Sequence, residues 1–365
     1  MGSKRRVVMK DIADKLGLHQ STVSLALRNH PRIPRETCER VQCAARELGY
    51  VPDPMLSSLI AYRKEIGRSY GANVIAFVIN LNDKSEYEAS HVHRRQVEGA
   101  RLRASELGYK LEVFWFGRDY RDGAALEKVI RARGIRGVIL GSLRKYPLQI
   151  SMDWSSLSVL KIDLYPSELA FDTVVPNQLE SIRLAMQHLK QDQPLRIGLA
   201  VSDRDEQQNR HLFTAGYYLG SMELPAVSAI PVYIFGSNEV PGSLVDKVAR
   251  WASQHQLDVL MSNWNNLDAA TERMERISGK HCRFVSVDAD ERTMPWGGVC
   301  QLHDVIGRVA VDQLVSKMQT FRYGFSEHPA TTMIDPVWVE SDSSGDFSAV
   351  ATTDGNDRSP SLDGL

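Results

Sequence analysis

Several large protein classes are excluded by what the 365-residue chain lacks. Its four cysteines, Cys38, Cys43, Cys282 and Cys300, are too few and too scattered for a disulfide framework, and they lack the C-x2-C pairing of a zinc site. All four are expected to be reduced. No apolar run approaches the roughly 20 residues that cross a bilayer. Lys4, Arg5 and Arg6 are followed by no apolar stretch of the secretory kind, so a cytoplasmic location without membrane association is expected. Neither G-x-G-x-x-G nor G-x-x-x-x-G-K-[ST] occurs, so no phosphate loop cradles a nucleotide. G-x-S-x-G and H-E-x-x-H are missing too, and no nucleophile setting is visible. Neither an enzyme nor a bound cofactor is expected. His91 and His93, with Asp83 and Glu88 nearby, have H-x-H spacing without a third spaced ligand, so no metal site is read there.

Net charge is also nearly absent, at −1, but the balance hides an asymmetry. Residues 1–68 hold 13 Lys and Arg against 7 Asp and Glu, whereas the remainder holds 31 against 38. A basic N-terminal module on an acidic body suits a polyanion, although a solvated surface has the same signature. Within that module apolar residues recur at helical spacing in three short bursts: Ile12, Ala13 and Leu16; Val23, Ala26 and Leu27; Val41, Ala45 and Leu48. Three small helices follow, giving an all-α domain over 1–50. Pro52, Pro54, Gly67 and Gly71 then bracket a brief helix in a linker over 51–71.

Beyond the linker, short continuous apolar runs alternate with amphipathic stretches. The runs are Val74 to Ile79, Leu111 to Phe116, Gly137 to Leu140, Val159 to Ile162, Ile197 to Val201, Val232 to Phe235, Val259 to Met261 and Phe284 to Val287. Such alternation predicts β-α-β units in parallel sheets covered on both faces. About 270 residues of this suffice for two lobes. Residues 341–365 are rich in Ser, Asp, Gly and Thr and predict a disordered tail with no coiled-coil seam.

Lys10 to Leu27 carries the most specific signal. Ala13 precedes Gly17 by four residues, as a steep crossing of two helices over a tight turn requires, with Ile12, Leu16, Leu18 and Val23 available to lock it. An ordinary helical hairpin meets the same demands. The second helix adds short polar groups, Gln20, Ser21, Thr22 and Ser24, which permit close approach to a major groove. The run V-M-K-D-I-A-D-K-L-G-L-H-Q-S-T-V-S, with N-H-P-R-I, E-T-C-E-R-V and E-L-G-Y-V-P, closely resembles the lactose/galactose-repressor family of bacterial transcription regulators. The resemblance is contiguous over 8–62 and resumes more loosely to 340, through S-V-D at 286–288, I-G-R-V-A-V-D-Q-L at 306–314 and P-V-W-V-E.

The resemblance implies a helix-turn-helix domain followed by a two-lobed, periplasmic-binding-protein-like α/β core over 72–340. Lobe 1 would comprise about 72–175 and 301–331, and lobe 2 about 176–300 and 332–340. It implies a homodimer that binds a double-stranded DNA operator, as a repressor, under control of a small-molecule effector of the sugar class held between the lobes. Gln20, Ser21 and Leu25 would read bases, while Thr22, Ser24 and Asn29 would contact phosphates or fix the recognition helix. Leu25 departs from the long polar residue some members carry and offers only apolar contact, for example to a thymine methyl. His19 and Pro34 replace the more usual hydroxyl helix caps. Leu59 matches a leucine that wedges into the minor groove, although it would equally pack a linker helix.

In the core, the resemblance makes Asp288 an acceptor of effector hydrogen bonds, and a strand-end turn would also use an aspartate. Arg210 is similar to an effector-clamping arginine, with the accompanying glycine and aromatic displaced to Gly216 and Tyr217. Asn177 stands where Asp is usual, and Gln301 lies near the lobe crossover. Trp264 would stack on a sugar ring or pack between elements. The rival from another class is a cytoplasmic sugar-binding or sugar-processing protein with a basic N-terminal arm.

Overall fold

The computed structural model describes residues 7, 9–27, 33–48, 50, 73–81, 84–143, 150–165, 168–189, 195–224, 230–290 and 297–340. The chain divides into two compact units between Ser69 and Tyr70, each described by itself. Asn29, Leu59, the linker 51–71 and the tail 341–365 lie outside the described residues.

The first unit contains α1 (Met9–Leu16), α2 (Gln20–Ala26) and α3 (Arg35–Leu48). Gly17 sits at φ +65°, where a side chain would be strained, and turns the chain between α1 and α2. The Leu18 N–H donates back to the Ala13 carbonyl at 3.0 Å, closing the α1 terminus. The His19 carbonyl accepts the Thr22 and Val23 N–H groups at 2.9 and 3.1 Å, so this residue opens α2 through its backbone without a hydroxyl cap. Ile12, Ala13, Val23, Ala26, Cys38, Val41, Ala44 and Ala45 form the core where the three helices meet. A Lys15–Glu47 ion pair at 2.7 Å ties α1 to α3 at the surface, where it contributes little.

The second unit begins with β1 (Val74–Ile79), α4 (Lys84–Ala89), α5 (His91–Glu106), β2 (Lys110–Trp115), α6 (Gly123–Ala132), β3 (Gly137–Leu140), β4 (Ser158–Ile162) and β5 (Thr173–Pro176). It continues with α7 (Gln178–His188), β6 (Ile197–Ser202), α8 (Asp203–Gln208), α9 (Leu212–Glu223), β7 (Tyr233–Phe235), α10 (Pro241–Gln254) and β8 (Val259–Ser262). The last elements are α11 (Asp268–Ser278), β9 (Arg283–Ser286), β10 (Gly298–Cys300), α12 (His303–Gln319), β11 (Thr331–Ile334) and β12 (Val337–Val339).

Two six-stranded sheets result, ordered β11-β5-β4-β3-β1-β2 and β12-β10-β9-β8-β6-β7. Every pairing is parallel except β10 with β12, which is antiparallel. β1, β3, β4, β6 and β8 are buried at every residue, because each sheet has an apolar layer on both faces. This is the two-lobed α/β core that the alternating runs predict. The four strands those runs do not include, β5, β10, β11 and β12, have three or four residues each. β11 is also polar and half-exposed, so it carries no apolar run.

The chain passes from one sheet to the other three times: after β5, after β10 and after β11. The last passage falls after Ile334, because Thr331–Ile334 pairs in register with Thr173–Pro176. Residues 332–334, expected in the second lobe, therefore belong to the first.

α5 and α12 lie on the same face of the first sheet, and they meet backbone to backbone. A Cβ at Gly99 would sit 2.0 Å from the Asp304 carbonyl oxygen, and one at Gly307 would sit 2.1 Å from that of Gln96. Only hydrogen fits at either position. Gly307→Ala is accordingly expected to force the helices apart and destabilise the core by about 2 kcal/mol or more, as overpacking does. Equilibrium denaturant unfolding measures this, and a wild-type midpoint would refute the close approach.

Candidate functional site

In open parallel sheets a ligand-binding crevice forms beyond the carboxyl ends of the strands, where the strand order reverses. That point lies between β1 and β3 in the first sheet and between β6 and β8 in the second. On the first lobe the loops there hold a buried polar network. His93 is fully buried, with Nδ1 2.8 Å from Ser90 Oγ and Nε2 2.8 Å from the Ser142 carbonyl. The Ser142 hydroxyl reaches Gln96 Oε1 at 3.1 Å and also the Asp163 carboxylate. On the second lobe, Asp205 Oδ2 accepts from Asn263 Nδ2 and Trp264 Nε1, both at 2.8 Å.

Asp288 joins the two sides. It follows β9 on the second lobe, yet its carboxylate is held by two histidines of the first. Oδ2 lies 3.1 Å from Nε2 of His91, the first residue of α5, and Oδ1 lies 2.9 Å from Nε2 of His303, the first residue of α12. Asp290 Oδ2 stands 3.6 Å from the other nitrogen of His91. Burial alone would raise the Asp288 pKa, but the adjacent His303 and His91 outweigh it and hold the carboxyl well below the usual range. The same surroundings push the neighbouring Cys300 thiol up to about 11, chiefly through burial.

The other expected core residues separate into two groups. Asn177 and Gln301 sit at the lobe crossings with their amides engaged. Asn177 caps α7 by accepting the Glu180 N–H at 3.2 Å and donates to Asp335 in the third crossing at 2.8 Å. The Gln301 amide exchanges hydrogen bonds with Gln178 at 2.8 and 3.1 Å and donates to the Val287 carbonyl at 2.7 Å. These contacts tie the crossings to each other.

Arg210 and Trp264 belong to the second lobe's rim. Arg210 and His211 both take positive φ, a conformation costly for residues with a side chain. The loop is anchored by buried Glu206, which accepts from the Thr214 N–H and contacts His211 Nδ1. The exposed Arg210 guanidinium lies near Lys161 of β4, at the carboxyl end of the first sheet. Burial, and secondarily Arg210, lowers the Lys161 ammonium to about 8. Trp264 packs edge-on against Phe235 at 5.0 Å, half-buried. Gly216 and Tyr217 are core: the Tyr217 hydroxyl donates to the Ile197 carbonyl at 2.7 Å inside the second lobe.

In the N-terminal unit Gln20 is exposed at the start of α2, whereas Thr22, Ser24 and Leu25 are half-buried; Ser21 lies on the same helix. Sequence reasoning did not bring in His303, Asp290 or Lys161, and it set His91 aside with His93. The available signals were S-V-D-A-D, which places a second carboxylate two residues after Asp288, and Q-L-H, which places His303 two residues after the crossing glutamine.

Fold and site define a two-lobed, periplasmic-binding-protein-like core that follows a three-helix unit of helix-turn-helix form. Residues 8–53 match the model of "Bacterial regulatory proteins, lacI family". The HTH-type transcriptional repressor CytR of Escherichia coli (strain K12) is 25% identical over 210 residues, 57% of this chain and 57% of the relative. The chain thus spans little more than half the length of these curated relatives. Among solved structures, a transcriptional regulator CelR–cellobiose complex superposes with TM-score 0.58 at 20% identity, covering 92% of this chain and all of that one. The lac repressor dimer bound to operator and the anti-inducer ONPF superposes with TM-score 0.54 at 17% identity, covering 92% and 98%. At these identities the likeness establishes the fold. No helix among the described residues is long and apolar enough to cross a membrane.

The Lys161 environment gives a pH signature. Its folded-state pKa of about 8 lies below the ordinary lysine value of 10.5, so between these values the unfolded chain binds more protons and stability rises with pH. Lys161→Met, which removes the ammonium at similar length, should therefore raise the melting temperature at pH 7 and raise it less at pH 10. A gain that grows with pH would refute the assignment.

Proposed function

We propose that the protein is a sequence-specific DNA-binding transcription regulator, a repressor without enzymatic activity, that works as a homodimer under the control of a small effector between the lobes. The observation that carries this reading is Asp288, gripped across the cleft by His91 and His303 in a chain whose N-terminal segment matches the family's DNA-binding domain. An effector that offers hydroxyl groups to Asp288 competes with the two imidazoles. Binding would then change the contacts between the lobes, and the crossings tied by Asn177 and Gln301 would carry the change. CelR was solved with cellobiose, which favours the sugar class for this cleft as well. Arg210 and Trp264 stand at the rim as further effector contacts.

In the N-terminal unit, Gln20, Ser21 and Leu25 are assigned to base reading and Thr22, Ser24 and Asn29 to phosphate contact or support of the helix. Leu59 is assigned to the minor-groove wedge. Two such units in register on a two-fold axis give the affinity that one, reading only a few base pairs, does not.

The test starts from operator sequences selected out of a random duplex pool with the full chain. Gel-shift affinity should fall steeply with salt. Gln20→Ala should lower specific affinity about 10- to 100-fold, the loss expected for one good base contact, with the core's melting temperature unchanged. A chain starting at Tyr70 should retain ligand-induced thermal shifts and lose DNA binding. Selection of no sequence from the pool, or operator binding by the truncated chain, would overturn the reading.

A further inference from the structure

We infer that His91, Asp288 and His303 form a binding site for a late first-row divalent cation, Zn²⁺ being the probe of choice, which clasps the two lobes. The inference deepens the cleft reading above by adding a cation to its ligands.

The donor atoms are already gathered. One nitrogen from each ring and one oxygen of Asp288 all lie within 4.8 Å of one another, and the two nitrogen–oxygen distances across the carboxylate are 2.9 and 3.1 Å. Zinc takes imidazole nitrogen and carboxylate oxygen at about 2.0–2.2 Å, which places tetrahedral donors about 3.4 Å apart. Zinc binding would turn both rings toward a shared point while the helix starts stay in place. Two imidazoles with one carboxylate is a donor set suited to zinc and its neighbours rather than to calcium or magnesium, which prefer all-oxygen shells.

Charge points the same way. The cleft buries Asp288 and Asp290 together, and a divalent cation would supply counter-charge to both carboxylates. Asp290 also stands where an outer partner belongs. Its carboxylate faces Nδ1 of His91 while Nε2 faces the cluster, the relation by which a carboxylate orients a metal-bound histidine. Three protein donors leave a coordination position for water or for an oxygen of a cleft ligand. The spacing of residues 91, 288 and 303 hides all this from the sequence: the donors come from two helix starts and a strand end.

The experiment is titration calorimetry of the full chain at pH 7.5 after chelator treatment, with ZnCl2 and, in parallel, MgCl2. One Zn²⁺ per chain should bind and raise the melting temperature, while Mg²⁺ does neither. His91→Gln and His303→Gln should each weaken Zn²⁺ binding at least 100-fold. Asp290→Asn, which keeps every donor, should weaken it about 10- to 100-fold, the usual effect of losing an outer partner. Circular dichroism checks that each variant folds. If the histidine variants do not, Co²⁺ in the wild-type chain serves instead and should give the intense visible bands of tetrahedral coordination. Absence of stoichiometric Zn²⁺ binding, equal binding by the variants, or weak octahedral Co²⁺ bands would each overturn the site. Operator binding is measured separately in chelator, so failure of the metal site and failure of the regulator reading remain distinguishable.

Discussion

A carboxylate taken out of water at the end of a strand costs several kcal/mol unless something restores what solvent supplied. Asp288 is such a group, and what restores it comes from the opposite lobe. Each oxygen has its own imidazole, so neither histidine alone satisfies the carboxylate, and neither lobe alone contains the complete arrangement. The relation between the lobes is thus written into the solvation of one side chain. Separation of the lobes returns Asp288 to water at the cost of two short polar contacts, and closure demands both. A ligand in the cleft acts on the lobes to the extent that it replaces those contacts better or worse than water does.

The polar residues around this point are arranged to keep it in place. His93, two residues after His91, is satisfied internally by Ser90 and Ser142, so α5 starts from a fixed base. Gln178 and Gln301 pair at the crossings, and Asn177 reaches Asp335. Buried amides in reciprocal pairs have few alternative arrangements, because breaking one leaves two groups unpaired. The crossings therefore resist small distortions, while the rim around Arg210 and His211 stores backbone strain in two successive left-handed residues.

Much of this was legible in the sequence, and the parts that were not share a cause. The helix-turn-helix could be read from Ala13, Gly17 and Val23 because its contacts are local, falling within a few turns of chain. The buried parallel strands announced themselves as apolar runs. β11 did not, because its partner strand lies about 160 residues earlier and its own side chains are half-exposed. Asp288 could be singled out through the family motif, but its partners His91 and His303 could not, since no spacing rule relates a residue to one 197 positions away. His91 and His303 each begin a helix, a position where histidine carries no special sequence signal. The H-x-H pair that drew attention separates in the fold: one ring enters the cleft and the other serves the interior of the first lobe.

The glycine contact between α5 and α12 has a mechanical meaning. These helices begin with the two histidines, and at Gly99 and Gly307 their backbones touch with no side chain between them. Such a seam has no slack: it cannot compress, and it opens only by abandoning packing along both helices. The two helix starts behave as the tips of a single caliper whose gauge is set several residues away. A molecule entering between the lobes cannot trade one histidine against the other by spreading them. It displaces an imidazole only by turning that ring about its own side-chain bonds, with the two helix starts held at a constant separation.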